Sequence, residues 1–343
     1  MATARKAANS DAAQPNLPFA FRKYTAEQLR EVLHKMYLIR RFEEGAEDAY
    51  MRGLIHGTMH LSIGQEASAM GICMPLTDQD QITSTHRGHG HCIAKGADVK
   101  RMFAEFFGKT TGYCKGRGGS MHIADVTKGN LGANGIVAGG IPIAVGAALA
   151  AKKLKTGKVA VSFFGDGANN EGAFHEALNM AAVWKLPVIF VCENNGFGIS
   201  VPLRESTATE DIADRAAGYG IPGYIVDGYD VDDIDKAFLE AKERALAGEG
   251  PSLIEVKTYR YRGHWTGDPE PYRSREDVEA WKKRDAIDAF EKEIIKKRWA
   301  SKKALTKIRE DAVEEMEKAA QFALDSPEPD PAHLLDDVFY EGA

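Results

Sequence analysis

Two short polar clusters carry the chemistry this chain offers most plainly, Gly165-Asp166-Gly167 and, further on, Asn194-Asn195. A carboxylate and an amide carbonyl are hard oxygen donors. Brought together they suit Mg2+, which takes oxygen ligands and is typically held by a few protein groups plus substrate phosphates. Each cluster ends an apolar run, residues 159–164 before the first and 187–192 before the second, both rich in Val, Ile and Phe and too short for helices. Residues 170–184 between them have helical spacing through Phe174 and Leu178. This predicts a β-α-β unit with strands buried on both faces, as a parallel sheet requires. Both clusters then fall at the carboxyl ends of strands, where open α/β sheets bind ligands.

Other residues of chemical interest lie at similar places. His60 stands in a polar loop before a helix predicted over 65–73, and His264 follows a strand predicted over 253–259. A short strand over 81–84 ends in THRGHGHCIAKG, where His86, His89 and His91 invite a zinc reading. Zinc sites usually add a Cys or carboxylate ligand in a fixed geometry. Arg87 at a glycine-rich strand end fits an anion better, because guanidinium binds phosphate in a bidentate fashion. Residues 112–140 are the most glycine-dense segment and read either as a mobile loop or as backbone brought close to a ligand. They hold no GxGxxG followed by an acidic residue and no GxxxxGK[ST], which speaks against nicotinamide and nucleoside triphosphate binding. Gly135-Ile136-Val137 is expected to open a small-residue helix and turn its free amides toward a ligand.

The elements that must position these groups alternate along the chain. A capping box of Thr25 and Gln28 starts a helix with Leu29, Val32, Leu33, Met36 and Tyr37 on one face. Beyond the central unit come strands over 224–226 and 253–259 with a helix over 231–247 between them. From Ser274 the chain turns charged and helical, with an apolar stripe including Trp281, Ile287 and Phe290 left to pack. The expected organisation is a disordered tail over 1–23, an α/β domain over 24–273 and a charged helical extension over 274–343.

Composition sets bounds. The 343 residues are 44% hydrophobic and 27% charged, ordinary for a soluble protein, and the net charge of −6 gives nucleic acid no basic face. Four scattered cysteines without a CxxC pair make neither a disulfide framework nor a zinc ribbon, and fit a reducing compartment. The start lacks the apolar core of a secretory signal. The most apolar stretch, 136–151, is shorter than the roughly 20 residues of a membrane span and reads as a tightly packed interior helix. A cytoplasmic protein that spans no membrane is expected.

The GDG and NN clusters, 26 residues apart across a helix and a buried strand (168–193), resemble the signature of thiamine diphosphate enzymes. GQEA, GRGGSMH, GIV, NMAAVWKLP, ENN and TYRYRGH spread the resemblance over 24–331. The sequence is similar to the alpha subunit of the E1 components of 2-oxo acid dehydrogenase complexes. STHRGHGHCIAKG and GSMHIAD…LGANGIV look most like the acetoin dehydrogenase branch, whereas pyruvate-oxidising relatives more often carry an aromatic residue where this chain has His86.

The resemblance implies the thiamine diphosphate-binding α/β fold, a parallel sheet flanked by helices, with helical N- and C-terminal extensions. It implies that Asp166 and Asn195 give side-chain oxygens to Mg2+ and Phe197 its backbone carbonyl. Gly165, Gly167, Ala168, His86, Arg87 and His264 would lie against thiamine diphosphate, and Gly135 and Val137 would meet its aminopyrimidine. His60 and His264 would serve catalysis. The implied reaction cleaves acetoin, releases acetaldehyde and passes the acetyl unit to a lipoyl group; the alternative is decarboxylation of pyruvate or another 2-oxo acid. A catalytically silent binding subunit is a further reading, and a histidine-based metalloenzyme another. An E1 beta subunit in an α2β2 assembly is expected to supply the carboxylate that thiamine diphosphate needs at its pyrimidine, with a lipoyl-bearing E2 core and E3 in the same complex and with neither nucleic acid nor membrane as partner. Trp265 stands where mitochondrial pyruvate-type relatives place a regulatory serine, so kinase control there is not expected.

Overall fold

Five of the apolar segments pair as one parallel sheet in the computed structural model, which describes residues 21–336 and 338. The strands are β1 (Gln81–Thr83), β2 (Ala160–Gly165), β3 (Val188–Asn194), the two-residue β4 (Phe197–Gly198) and β5 (Val201–Pro202), β6 (Gly223–Asp227) and β7 (Ser252–Lys257). The sheet order is β1-β2-β3-β7-β6, and β4 and β5 form a separate antiparallel hairpin. In register, Gly165 of β2 lies beside Glu193 of β3, which brings the two polar clusters to one edge of the sheet. Every residue of β3 is buried, as expected of a central parallel strand covered on both faces.

Eleven helices surround it among the described residues: α1 (Ala26–Met51), α2 (Glu66–Cys73), α3 (His89–Ala94), α4 (Val99–Phe106), α5 (Gly140–Leu154), α6 (Gly172–Val183), α7 (Leu203–Ser206), α8 (Val231–Leu246), α9 (Arg275–Lys282), α10 (Ala286–Lys296) and α11 (Lys302–Asp325). Side chains alternate across the strands and split the core in two. Val161, Phe163, Ile189, Val191, Ile254 and Val256 face the larger half, with α1, α2, α4, α8 and the C-terminal helices. Phe164, Val188, Phe190, Cys192 and Leu253 face the smaller half, with α5 and α6. The result is the expected α/β fold, helices on both faces of a parallel sheet.

Helix α1 starts where its capping box predicts, with Thr25 and Gln28 exchanging both hydrogen bonds. The apolar stripe of the C-terminal segment closes on the same core as α1. Ile287 and Phe290 are buried in it, and Trp281 stacks on the rings of Tyr229 and Tyr259, at 5.5 and 5.3 Å. Of the expected tail over 1–23, residues 1–20 lie outside the described residues, while Phe21–Lys23 form a 3-10 turn whose Phe21 ring is buried 5.6 Å from that of Phe290.

The glycine-rich segment departs from expectation. Helix α5 begins at Gly140, not at 135–137, because residues 135–139 make turns in which Ala138 adopts φ +63°. Nor is α5 an interior helix. Ile141, Ala144, Val145 and Ala148 pack inward, but Ile143 is half exposed and Leu154 mostly so. Alanine and glycine spacing hid this two-faced character. Among the described residues no helix is long and apolar enough to cross a membrane.

Candidate functional site

A cleft of about 370 Å3 opens at the carboxyl ends of β2, β3 and β7, within the usual size of a small-molecule site. Strand β2 delivers its GDG cluster as a 3-10 turn, Asp166–Asn170, at the cleft wall. The Asp166 side chain is buried, and its Oδ2 finds no hydrogen-bond partner. Burial pushes its carboxyl up to about 6, against the lowering effect of the Arg260 charge.

The two asparagines after β3 do different work. Asn194 is structural: its Nδ2 donates to Glu255 Oε1 at 2.6 Å and its Oδ1 accepts from the Gly196 amide at 3.0 Å. That local bond closes a turn in which Gly196 takes φ +87°, a left-handed conformation that favours glycine. Asn195 is buried, donates through Nδ2 to Gln65 Oε1 at 3.4 Å, and leaves its Oδ1 unpartnered. A Cβ on Gly167 would lie 3.3 Å from the Gly198 Cα, so the two clusters approach closely at a backbone level. Phe197, half-buried with its ring 5.3 Å from that of Tyr272, lines the same cleft.

Two buried side-chain oxygens without partners, one of them carboxylate, fit a divalent cation bound through oxygen. This bears on pH. An empty site holds a proton on Asp166 up to about pH 6, and a cation must expel it. Cation-dependent ligand affinity is therefore expected to fall by about tenfold per pH unit below pH 6 and to be insensitive to this group above it. Titrations of the wild type and Asp166→Asn across that range check it: the part of the slope lost in the variant belongs to Asp166.

The cleft is also lined by cationic groups. Arg87 and Arg260 are both buried and both line the cleft. Arg87 donates to the carbonyls of Leu61 (2.5 Å) and His264 (2.8 Å), and Arg260 to that of Ile199 (2.9 Å), so their hydrogen bonds go to backbone oxygens and to His264 rather than to a carboxylate. Burial, then the Arg260 charge, pushes the Arg87 guanidinium down to about 9. Two guanidiniums held together in this way await an anion with several negative oxygens.

Beside them three imidazoles converge. The rings of His60 and His86 are 4.7 Å apart, those of His60 and His264 5.0 Å, and those of His86 and His264 5.7 Å. Their nitrogens lie within 4.8 Å of one another, which by spacing alone admits a metal ion. Charge decides against it. Arg260 Nη1 and Arg87 Nη2 stand 3.1 and 3.4 Å from His264 Nδ1, so a cation would sit beside two guanidiniums. Burial, then Arg87, pushes His60 down to about 3, His86 to about 2 and His264 to about 4, leaving all three neutral. His60 Nδ1 has no hydrogen-bond partner.

The zinc reading of His86, His89 and His91 does not survive. His86 lies in the turn before α3, His89 and His91 within it, and they point apart. His89 pairs with Glu43 at 3.0 Å, and His91 joins Ser84 (2.8 Å) and Glu193 (3.1 Å) while stacking on Phe163. Burial works against the Glu193 charge, but His91 outweighs it and holds the carboxyl below the usual range.

Most of the expected residues meet in one place. Gly165, Asp166, Gly167 and Ala168 line the cleft, as do Asn195 and Phe197. His86, Arg87, Val137 and His264 also reach it, and His60 packs between two of them. Gly135 does not line it; a Cβ there would meet the His122 ring at 3.2 Å. Sequence reasoning missed Arg260 and Gln65. Arg260 lies in TYRYRGH, four residues before His264, where a basic residue just past a strand end was the available signal. Gln65 lies in GQEA, with nothing local to mark it.

A family model described as Dehydrogenase E1 component matches residues 34–332. The chain is 52% identical over 316 residues to the alpha subunit of acetoin:2,6-dichlorophenolindophenol oxidoreductase from Bacillus subtilis, covering 92% of this chain and 94% of the relative. It is 47% identical to the protein of that name from Cupriavidus necator, covering 91% and 94%. It is 38% identical to the pyruvate dehydrogenase E1 component subunit alpha of Rhizobium meliloti, covering 98% and 96%.

Proposed function

This chain belongs to the dehydrogenase E1 component family, and from that premise we propose that it is the alpha subunit of a thiamine diphosphate-dependent, acetoin-cleaving E1 enzyme. The observation that carries the reading is the polarity of the cleft, which holds both the unpartnered oxygens of Asp166 and Asn195 and two buried guanidiniums. A magnesium diphosphate has that polarity. The higher identity to the two acetoin-oxidising relatives than to the pyruvate-type relative favours acetoin as substrate.

Asp166 and Asn195 would hold Mg2+ through their free oxygens, with the Phe197 carbonyl alongside. Gly165, Gly167 and Ala168 leave backbone open to the diphosphate, and Arg87 and Arg260 offset its charge. Val137 is assigned to the aminopyrimidine end, and His86 and His264 line the same cleft. Thiamine diphosphate, when bound, supplies the nucleophilic carbon and the electron sink for carbon–carbon cleavage. The protein supplies placement and proton handling. His60 and His264, held neutral, are able to accept protons near the reacting atoms. The Thr266 amide donates to the Met59 carbonyl at 2.9 Å, which ties the His264 loop to the His60 loop.

The family places such chains with a beta subunit in a larger complex. We assign an α2β2 assembly with E1 beta that acetylates a lipoyl-bearing E2 core, E3 being in the same complex, and a cytoplasmic location in which four unpaired cysteines stay reduced. Dye reduction by the purified alpha–beta pair, driven by acetoin in preference to pyruvate, tests the reading.

A further inference from the structure

The two candidate substrates differ in one proton, and the cleft holds one histidine placed to take it. Acetoin is cut between its carbonyl and carbinol carbons. The carbinol carbon leaves as acetaldehyde, so its hydroxyl must lose a proton, the O–H electron pair becomes part of the new C=O bond, and the electrons of the broken C–C bond pass to the cofactor. A 2-oxo acid loses carbon dioxide from a carboxylate already ionised at neutral pH, and no proton has to be received. Cleaving acetoin therefore asks for one base more than decarboxylation does.

We propose that His86 is that base, and that it makes this cleft selective for a hydroxy ketone over a 2-oxo acid. The inference rests on the acetoin reading above and adds a residue to it. The other candidates on the cleft wall are engaged, apart from Glu171, which is exposed in the turn before α6. Glu193 is held by His91, and Asp166 faces Asn195 at the cation end. The Nδ1 of His264 faces two guanidinium groups, at 3.1 and 3.4 Å. His60 is buried behind, packed edge-on to the rings of His86 and His264. His86 remains. It lines the cleft, is incompletely buried, and makes no hydrogen bond among the described residues, so a ring nitrogen is free for a substrate hydroxyl. Burial, and then the charge of Arg87 next in the chain, keep the imidazole from being protonated beforehand. A diphosphate on Arg87 and Arg260 would offset the charge part of that effect and return some basicity to the ring once the cofactor is in place.

The test uses the alpha–beta holoenzyme with His86→Phe, which keeps the ring and its packing but loses both nitrogens, and His86→Gly, which leaves room for added imidazole. Acetoin kcat in His86→Phe should fall by about 100-fold or more, within the usual range for a general base. The acetoin KM and the affinity for thiamine diphosphate with Mg2+, read by tryptophan fluorescence, should stay within about threefold. Imidazole should restore part of the rate to His86→Gly. Retention of acetoin kcat by His86→Phe would overturn the inference. So would a loss of cofactor affinity that matches the loss of rate, since His86 would then only hold the cofactor. A wild-type pair that binds the cofactor but does not cleave acetoin would remove the acetoin reading itself, and this inference with it.

Discussion

Asp166→Ala is expected to abolish Mg2+-dependent binding of thiamine diphosphate, weakening it by at least about 100-fold, the upper end of what losing even an outer-shell metal partner costs. The chain's own stability should not suffer. The Asp166 carboxyl is buried, lacks a partner for Oδ2 and is pushed up to about 6, all signs of a group held at a cost. Removing it relieves that cost. The variant should melt at the same temperature as the wild type or higher without cofactor, and should lose the upward shift that cofactor and Mg2+ give the wild type. Asp166→Asn keeps an oxygen donor but no charge and should fall between the two. Titration calorimetry and thermal melts read both effects, and wild-type affinity in Asp166→Ala would contradict the assignment of the cation site.

The second large effect concerns the chain alone. Without its partner it should show no dye reduction with acetoin, a loss of more than about 1,000-fold against the alpha–beta pair, as expected when a group that acts as a unit with others is absent. Three carboxylates line the cleft: Asp166, Glu171 and Glu193. The first is assigned to the cation, the third is paired with His91, and Glu171 is exposed in the turn before α6. None is left for the pyrimidine of the cofactor. The mouth is also unfinished. Ile136 and Ile199 border the cleft yet are 72% and 61% exposed, and Val137 and Val201 are exposed beside them. Apolar side chains at the rim of a binding site are placed to be covered by another surface. Mixing with the beta subunit should restore turnover; full activity of highly purified alpha chain alone would refute the half-site account.

How much of this could be read from residue order depended on distance along the chain. The β2–α6–β3 unit announced itself because apolar runs, helix and both polar clusters lie within one short segment. Helix α1 was equally plain, since its capping box and apolar face are local. Arg260 was harder. Its partner in charge, Arg87, is 173 positions away, and only the fold of β1 and β7 into one sheet brings them to the same wall. The separate duties of Asn194 and Asn195 were invisible for the same reason: Glu255 and Gln65, which distinguish them, come from β7 and from the residue before α2. The trio His86, His89 and His91 misled in the other direction. Close spacing suggested a shared ligand, but the turn into α3 sends the three rings to the cleft, to Glu43 and to Glu193. The start of α5 was misplaced because glycine and alanine give no period from which to count.

The central claim is that this cleft, completed by a beta subunit, binds magnesium thiamine diphosphate and spends it on acetoin. Initial rates of dye reduction by the reconstituted pair, with acetoin, pyruvate and branched-chain 2-oxo acids compared at saturating cofactor and Mg2+, test it most directly. The account predicts the highest kcat/KM for acetoin, with acetaldehyde released in step with dye reduced. A pair that turns over pyruvate and leaves acetoin intact would contradict it.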